Sequence, residues 1–314
     1  MRFRAPTPLI SRPVRVCCVQ YCLRPVTDFQ AFADQVETYV DVGDDYDADI
    51  IVFPELLGAQ LLGCLSPEAS AGSMRLLAER YMEPFEELFQ RLSKEYDRIL
   101  VAGTHPRLVE GKLLNVASIF VPGQPAVHQP KLHLTPTERH EWNFQPGQEL
   151  HVVETDFGRF AVTICYDVQF PEVGRVLAEQ GVQLLLVPYL TDDRRGHNRV
   201  TLCARARAVE NQFFVATAGM VGSLPLVTDL TAQFAQSGIY TPSDFPFPMD
   251  GLSSEAAPNS EMVLVSDLDL ALLDQARQRG SVLNHQDAAA DGLHVAFDGT
   301  ITVHNLPWIS EETS

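Results

Sequence analysis

Short apolar runs alternate along the chain with longer segments in which apolar residues recur every three or four positions. The run at 48–53 is continuously apolar and ends at Pro54, as in a buried strand, whereas Met74–Tyr96 has the longest helical periodicity. Strands that alternate with helices predict an α/β fold with layered packing. The spacing predicts strands at 14–19, 48–53, 99–104, 114–121, 160–164, 182–187, 212–218, 238–240 and 262–268, helices at 29–42, 74–96, 172–180 and 198–210, and a loop at 122–130.

The composition is that of a folded protein. Hydrophobic residues make up 46% of the 314 residues, far above the level of disordered chains. No stretch rich in glycine, serine or proline divides the sequence, so we expect one domain at 14–283 after an N-terminal extension at 1–13. The segment 284–314 loses periodicity, which predicts a tail that is partly disordered or docked on another surface.

The charge of the chain is strongly negative. Its 23 Lys and Arg against 41 Asp and Glu give a formal net charge of −18, which argues against a nucleic acid or an anionic membrane as partner. No apolar stretch reaches the roughly 18 residues of a membrane span, and the first residues lack the pattern of a secretory signal. Six cysteines are too few for a disulfide framework at this length, so we expect a reduced, cytoplasmic protein.

Common cofactor and metal motifs are absent from the sequence. It contains neither GxGxxG nor GxxxxGK[ST], and it also lacks HExxH and GxSxG. His133 and His140 lie near two glutamates, but their spacing fits no common zinc pattern. Cys17, Cys18 and Cys22 lie in or beside a strand pattern, which favours a role in the core over a metal site. We therefore expect no cofactor and no metal.

Cys165 follows the apolar run at 160–164 and precedes a turn that leads into a helical pattern. A small nucleophile at a strand-to-helix turn projects at the carboxyl end of a sheet, where backbone N–H groups of the turn can receive an oxyanion. A buried structural cysteine is the alternative. A catalytic thiol needs a base or a positive neighbour, and an amide substrate needs a proton donor for its leaving nitrogen.

Two other ionisable residues follow apolar segments in the same way. Glu55 comes directly after the strand pattern that ends at Pro54, and Lys131 lies in the short apolar segment 129–134. Taken singly, the glutamate could be a charge at a helix N-terminus and the lysine a solvated surface residue. Three ionisable groups at the ends of three core segments are better explained by a catalytic cluster of Glu55, Lys131 and Cys165.

Four sequence blocks together resemble the nitrilase superfamily of carbon–nitrogen hydrolases, in its amidase-like branch. They are VFPELLG around Glu55, KLHLTPTE from Lys131, ICYDVQFPE around Cys165, and ARAVENQFFVATAGMVG at 206–222. The resemblance implies a four-layer αββα sandwich, commonly assembled as a homodimer or a higher homo-oligomer. It also implies a triad in which Glu55 would be the general base, Lys131 would stabilise the tetrahedral oxyanion and Cys165 would be the nucleophile.

The resemblance further implies residues that support this triad. The backbone N–H of Tyr166 would join Lys131 in holding the oxyanion. Members of the superfamily commonly carry a second glutamate shortly after the lysine, where it positions the lysine and the substrate. Glu138 is the first choice for this role and Glu141 is the reserve, although each could instead be a charge at the start of a helix.

Other positions near the blocks bear on the substrate. Tyr189 and Thr191 follow a core strand where related sequences have pocket residues, so they are candidate substrate contacts. The cysteine block often reads CYDxRFPE, and here Gln169 replaces the arginine, which removes a positive group near the mouth of the site. The segment 237–251 could line or cover the pocket, or it could form a rigid surface loop.

The resemblance favours hydrolysis of a non-peptide C–N bond in a small linear amide through a cysteine thioester, with release of ammonia or an amine. A true nitrilase and an N-carbamoyl amine hydrolase are alternatives, although Tyr-Asp after the cysteine is more typical of amidase-like branches than of nitrile-cleaving ones. A papain-like enzyme would pair the cysteine with a histidine and would not need Lys131. The candidate histidines are His197, His285, His294 and His304. A catalytically silent binding protein on the same fold is the remaining alternative.

Overall fold

The computed structural model of the chain describes residues 12–65, 73–228, 230–290 and 294–308. Within these ranges the helices are α1 Phe29–Asp45, α2 Leu62–Leu65, α3 Met74–Tyr96, α4 Pro136–His140, α5 Pro171–Glu179, α6 Arg194–Asn211, α7 Ala271–Arg279 and α8 Asn284–Ala290. The strands are β1 Val14–Leu23, β2 Ile50–Val52, β3 Ile99–Val109, β4 Lys112–Phe120, β5 Val127–Pro130, β6 Glu149–Glu154, β7 Arg159–Val162, β8 Leu184–Tyr189, β9 Phe214–Gly222, β10 Gly238–Tyr240, β11 Leu252–Glu255, β12 Met262–Leu268 and β13 Thr300–Asn305. Most of the predicted N-terminal extension, residues 1–11, lies outside the described residues.

The strands form one extended sheet that strand β1 divides into two halves. The strand order is β13-β6-β7-β8-β9-β1-β2-β3-β4-β5. Residues 16–18 of β1 pair in parallel with β2, whereas residues 21–23 pair in parallel with β9. Strand β1 therefore belongs to both half-sheets: its first part pairs with β2 and its last part pairs with β9.

Alternate side chains of β1 face two different apolar clusters, because successive residues of a strand point to opposite faces. Val16 and Cys18 belong to the cluster between the two half-sheets, whereas Cys17 and Val19 pack beneath α1 and α3. Helices α5 and α6 cover the outer face of the other half-sheet. The layers run helix, sheet, sheet, helix, which confirms the predicted four-layer α/β sandwich.

A side-chain amide on β5, the last strand of the strand order, nearly closes the sheet by bonding to β6, the second strand. The Gln129 Nε2 on β5 donates to the Glu149 carbonyl at 2.8 Å, and its Oε1 accepts from the His151 N–H at 2.8 Å. The amide thus bonds to β6 with one donor and one acceptor, as a peptide group of a neighbouring strand would. This contact brings the segment just before Lys131 against the second half-sheet.

The structure differs from the sequence-based expectations in several short elements. Part of the predicted loop at 122–130 is strand β5, which lies at the end of the strand order and tolerates Pro130 there because an edge strand need not donate every N–H. Strands β6 and β11 and helix α7 were not predicted. The segment predicted as a tail contains α8 and β13, and β13 pairs in parallel with β6. No helix in the described ranges has the length and apolar character needed to cross a bilayer.

Candidate active site

The three residues predicted to form a triad lie together where core strands end. Glu55 follows β2, Lys131 follows β5 and Cys165 follows β7, so each backbone is fixed by a strand of the sandwich. All three side chains are at least 95% buried, and the Lys131 Nζ donates to the Glu55 Oε1 at 2.7 Å. The two half-sheets therefore bring a carboxylate, an ammonium group and a thiol to one place.

Lys131 is held between two carboxylates. Its Nζ also donates to the Glu138 Oε2 at 2.6 Å, and the Asn115 amide on β4 donates to both Glu55 and Glu138 at 3.0 Å. We call Glu55, Asn115, Lys131 and Glu138 the lysine cluster. Asn115 was not among the predicted site residues, although a polar residue within an otherwise apolar strand pattern was a usable indication.

The start of α4 fixes Glu138. Thr135 caps this helix, its side chain accepts from the Glu138 N–H at 3.3 Å, and the Glu138 Oε2 accepts from the Thr135 N–H at 3.0 Å. This reciprocal capping box holds the carboxylate toward Lys131. Glu141, the reserve candidate, ends the same helix, is exposed and does not line the cavity described below.

Burial and charge oppose each other in the pKa values of the cluster. For Lys131, burial acts to lower the pKa, but the charges of Glu138 and Glu55 outweigh it and raise the pKa well above its ordinary value. Burial raises the pKa of Glu55, the Lys131 charge opposes this, and the Glu138 charge adds to it, so the net shift is upward. For Glu138, burial acts to raise the pKa, but the charge and hydrogen bond of Lys131 prevail and lower it. The lysine therefore stays protonated between one basic and one acidic carboxylate.

Cys165 occupies a strained turn. Its φ is 47°, in the left-handed region that non-glycine residues rarely adopt, and it opens the 3₁₀ turn Cys165–Gln169. The Sγ donates to the Leu190 carbonyl at 3.6 Å, while the Leu190 N–H donates to the Glu55 Oε2 at 3.1 Å. Burial raises the pKa of the Cys165 thiol well above its ordinary value, the Glu55 charge adds to this, and the Lys131 charge acts against it without prevailing. The thiol is therefore neutral at rest.

Asp167 connects the cysteine turn to the lysine segment. One carboxylate oxygen accepts from the Leu132 N–H at 3.3 Å and from the Ile164 N–H at 3.2 Å, and the other accepts from the His133 N–H at 2.8 Å. The aspartate is 1% exposed, so these hydrogen bonds are shielded from solvent. Asp167 therefore fixes the turn of Cys165 relative to the segment after Lys131, and it was not among the predicted site residues.

The cluster opens into a cavity of about 640 Å³. The cavity reaches from Glu55, Lys131, Glu138 and Cys165 to the first two turns of α6, where Arg195 and Arg199 are exposed. The other lining residues are Leu56, Thr135, Pro136, Thr137, Trp142, Tyr166, Gln169, Leu190, Thr191, Asp192, Asp193, Gly196 and Val200. The arrangement therefore combines a neutral thiol, a base and a fixed cation in a space large enough for a small organic molecule.

The model of the carbon-nitrogen hydrolase family matches residues 15–278 of the sequence. The chain belongs to this family. The probable hydrolase YhcX of Bacillus subtilis is 40% identical over 285 residues, which cover 91% of this chain but only 55% of that relative. The omega-amidase NIT2 of Danio rerio is 29% identical over 253 residues, 78% of this chain and 85% of the relative. The crystal structure of Saccharomyces cerevisiae Nit3, a member of branch 10 of the nitrilase superfamily, matches with a TM-score of 0.68 at 23% identity, over 87% of this chain and 96% of that chain, and shows the same fold.

The predicted substrate contacts of this carbon-nitrogen hydrolase family member divide into two groups. Tyr166 and Thr191 line the cavity, but Tyr189 does not, and the segment 237–251 contributes no lining residue. The Tyr189 ring is fully buried, and its hydroxyl accepts from the Gln236 N–H at 3.0 Å and contacts the His197 Nδ1 at 3.2 Å. Because every residue of β8 is buried, the sequence could not tell which face Tyr189 occupies.

The histidines proposed for a papain-like alternative lie elsewhere. None of His197, His285, His294 and His304 lines the cavity with Cys165. The lowered pKa of His197, caused first by burial and then by the Arg194 charge, keeps its imidazole neutral beside Tyr189. Within the described residues, no group of three or more His, Cys, Asp or Glu side chains is arranged to hold a metal ion. The oxygens of Glu55 and Glu138 are instead bound by Lys131 and Asn115.

Proposed function

We propose that this protein hydrolyses the C–N bond of a small linear amide, with Cys165 as nucleophile, Glu55 as general base and acid, and Lys131 as oxyanion stabiliser. One observation carries the proposal: a buried carboxylate–ammonium pair at 2.7 Å lies beside a strained cysteine turn on the wall of one cavity. The Danio rerio relative is an omega-amidase, and membership of the carbon-nitrogen hydrolase family supports the same reaction class.

Acylation begins from the neutral thiol. Glu55 accepts the S–H proton while the Cys165 sulfur bonds to the amide carbon, and the carbonyl electron pair moves onto oxygen. Lys131 and the Tyr166 backbone N–H would hold that oxyanion, and such fixed donors are commonly the largest contribution to catalysis. Because burial raises the pKa of both the thiol and Glu55, the raised basicity of Glu55 partly offsets the difficulty of removing the thiol proton.

Collapse of the tetrahedral intermediate breaks the C–N bond. The protonated Glu55 gives its proton to the departing nitrogen, which leaves as ammonia or an amine, and a Cys165 thioester remains. Glu55 is then a carboxylate again and takes a proton from water, whose oxygen attacks the thioester carbon. The C–S bond breaks, the sulfur recovers the proton from Glu55, and the carboxylic acid is released.

Glu138 acts in this scheme as a positioning residue. It holds the Lys131 ammonium at 2.6 Å and is itself held by the capping box of α4. Its negative charge helps to keep Lys131 protonated and adds to the basicity of Glu55. It thereby supports both functional groups without touching the reacting carbon.

We also propose a homodimer in a cytoplasmic setting. Helix α6 exposes Leu202, which is 66% exposed, and Val209, which is 40% exposed, and covering such a face on a second copy would remove apolar surface from water. All six cysteines are free, which is consistent with a reducing compartment. Light scattering of the purified protein tests the assembly, and a monomer at micromolar concentration would contradict the dimer.

The function is tested by measuring ammonia release from a panel of ω-amides, carbamoyl compounds and nitriles, with mass spectrometry of the Cys165 acyl adduct. We expect turnover of amides by the wild type and none by Cys165→Ala, with an unchanged thermal transition. Cys203→Ala is the matched control, because Cys203 lies on α6 and does not line the cavity. Wild-type turnover by Cys165→Ala would overturn the mechanism, and a preference for nitriles would assign the true nitrilase reaction instead.

A further inference from the structure

Asn115 is the uncharged member of the lysine cluster, and it contacts the other three members. Its side-chain Nδ2 donates to the Glu55 Oε1 and to the Glu138 Oε1, both at 3.0 Å. Its main-chain carbonyl accepts from the Lys131 N–H at 2.9 Å. The residue is 1% exposed and does not line the cavity. Any effect of Asn115 on the reaction must therefore pass through the residues that it holds.

The two carboxylates fix the orientation of the Asn115 amide. The Nδ2 has two hydrogens, one for each carboxylate, whereas the opposite orientation would place the Oδ1 against two negative groups. The Oδ1 is buried and has no hydrogen-bond partner among the described residues. A buried acceptor without a donor is unfavourable, so the amide forgoes one hydrogen bond while making two charge-assisted ones. This side chain is therefore placed for the carboxylates and not for its own pairing.

The two oxygens of the Glu55 carboxylate have different surroundings. The Oε1 accepts from the Lys131 Nζ at 2.7 Å and from the Asn115 Nδ2 at 3.0 Å. The Oε2 accepts from the Leu190 N–H at 3.1 Å, and the carbonyl of the same leucine accepts from the Cys165 Sγ at 3.6 Å. Each donor, and a cation above all, lowers the affinity of an oxygen for a proton. The Oε2 is therefore the more basic oxygen, and it lies on the thiol's side of the carboxylate.

We propose that Asn115 is a positioning residue that, together with Lys131, saturates the Oε1 of Glu55 and directs the thiol proton to the Oε2. In acylation the S–H bond of Cys165 breaks, the proton bonds to the Oε2, and the sulfur electron pair forms the bond to the amide carbon. A neutral donor suits this position, since a second cation would lower the pKa of Glu55 and weaken it as a base. The inference rests on the proposed hydrolase function.

The test follows the pH dependence of Asn115→Leu, which is similar in size to the wild-type residue but has no donor. The titratable groups that act on Glu55 are Lys131, Glu138 and Cys165, and the variant keeps all three. A hydrogen bond to a carboxylate stabilises its charged form, so loss of the donor raises the pKa of Glu55. We therefore expect the acid limb of kcat/KM to move to higher pH. We also expect kcat to fall about 10- to 100-fold, with KM within about twofold because Asn115 does not line the cavity.

Ser118→Ala is the matched control. Ser118 lies on the same strand, is 2% exposed, and its hydroxyl contacts the His128 ring at 3.1 Å. Its removal should leave the acid limb in place and kcat within about twofold. Asn115→Ser keeps one shorter donor and is expected to fall between the wild type and Asn115→Leu, and it supplies the same comparison if the leucine variant does not fold.

Alkylation of Cys165 by iodoacetamide, followed by mass spectrometry across the same pH range, is a second measurement that needs no amide substrate. We expect its acid limb also to move to higher pH in Asn115→Leu, because Glu55 still receives the thiol proton. An unchanged or lowered limb, a loss confined to KM, or an equal shift in Ser118→Ala would overturn the positioning role while leaving the hydrolase function intact. A raised alkylation limb in Asn115→Leu, with no ammonia released from any amide by the wild type, would instead reject the proposed function alone.

Discussion

The lysine cluster and the exposed residues Asp192, Asp193, Arg195 and Arg199, which we call the mouth, contribute charges to the same cavity but hold them differently. Lys131 is 2% exposed and bonds to two carboxylates, which are themselves bonded to Asn115. The Arg195 side chain is 89% exposed, and its nearest carboxylate oxygen lies 3.9 Å away. Burial makes the first set of charges costly to rearrange, whereas solvent screens the second set and leaves it adaptable. One cavity therefore contains both a buried, fixed set of charges and an exposed, adaptable one.

The largest expected effect follows from removing the buried cation. Lys131→Met leaves Glu55 and Glu138 without their counter-charge, and we expect a loss of about 3–5 kcal/mol in the free energy of unfolding, since the uncompensated charges stay buried. We also expect kcat/KM to fall by about a thousandfold through loss of an oxyanion donor. Urea unfolding and ammonia release measure the two effects. Lys112→Met, at an exposed strand end, is the control, and an equal response of both variants would remove the distinction between buried and exposed charge.

A smaller effect is expected at the second carboxylate. Glu138→Gln keeps the shape of the side chain but removes the negative charge that contacts the Lys131 ammonium. We therefore expect kcat to fall about 10- to 100-fold, as for the loss of one charge-assisted hydrogen bond. Glu141→Gln, three residues along, should stay within about twofold, because surface changes away from a site have small effects. Steady-state kinetics of the two variants decides the assignment. A greater loss in Glu141→Gln would transfer the positioning role to that residue.

The pH profile provides a finer distinction. Glu55 must be deprotonated to accept the thiol proton, so the acid limb of kcat/KM should lie above 4.5, the ordinary pKa of the group. The Glu138 charge raises the pKa of Glu55, so its removal in Glu138→Gln should move that limb to lower pH. Arg199→Ala, which changes only the mouth, should leave the limb in place with an uncharged amide. An upward shift in Glu138→Gln would show that the limb does not report Glu55.

The smallest effect is expected for stability at the mouth. Arg199→Ala removes an exposed charge without a carboxylate partner in the described residues, so we expect the free energy of unfolding to change by less than about 0.5 kcal/mol. Urea unfolding of Arg199→Ala and Lys131→Met then measures the smallest and the largest expected losses in the free energy of unfolding. A loss of several kcal/mol in Arg199→Ala would mean that the mouth is part of the packed framework.

The sequence was sufficient to predict the residues that follow uninterrupted apolar strands. Glu55 and Cys165 each come after such a run. Lys131 follows β5, which was predicted as a loop, but it was still identified from the short apolar segment in which it lies. Asn115 and Asp167 were missed because their importance lies in what they bond to across the fold, at separations of 60 and 34 residues in sequence. No periodicity encodes such contacts.

When every residue of an element is buried, the sequence alone does not show which side of the element is directed toward the cavity. In β8 both faces are apolar, so Tyr189 gave no indication that it packs away from the cavity. The same limit applies to helix α6, because its sequence does not indicate which of its arginines line a cavity. Only the packed structure brings Arg195 and Arg199 to the cavity wall. Which residues follow a strand is a local property, whereas which residues share a cavity depends on the three-dimensional arrangement.

The Gln129 amide also occupies two backbone groups that could otherwise pair with a strand of another chain. The early residues of β6 would otherwise offer a free N–H at His151 and a free carbonyl at Glu149, and unpaired strand groups of this kind recruit strands from other chains. The side chain occupies both groups from within the same molecule. A chain with Leu at position 129 would expose them, and it would be at greatest risk while the two half-sheets were still assembling during synthesis.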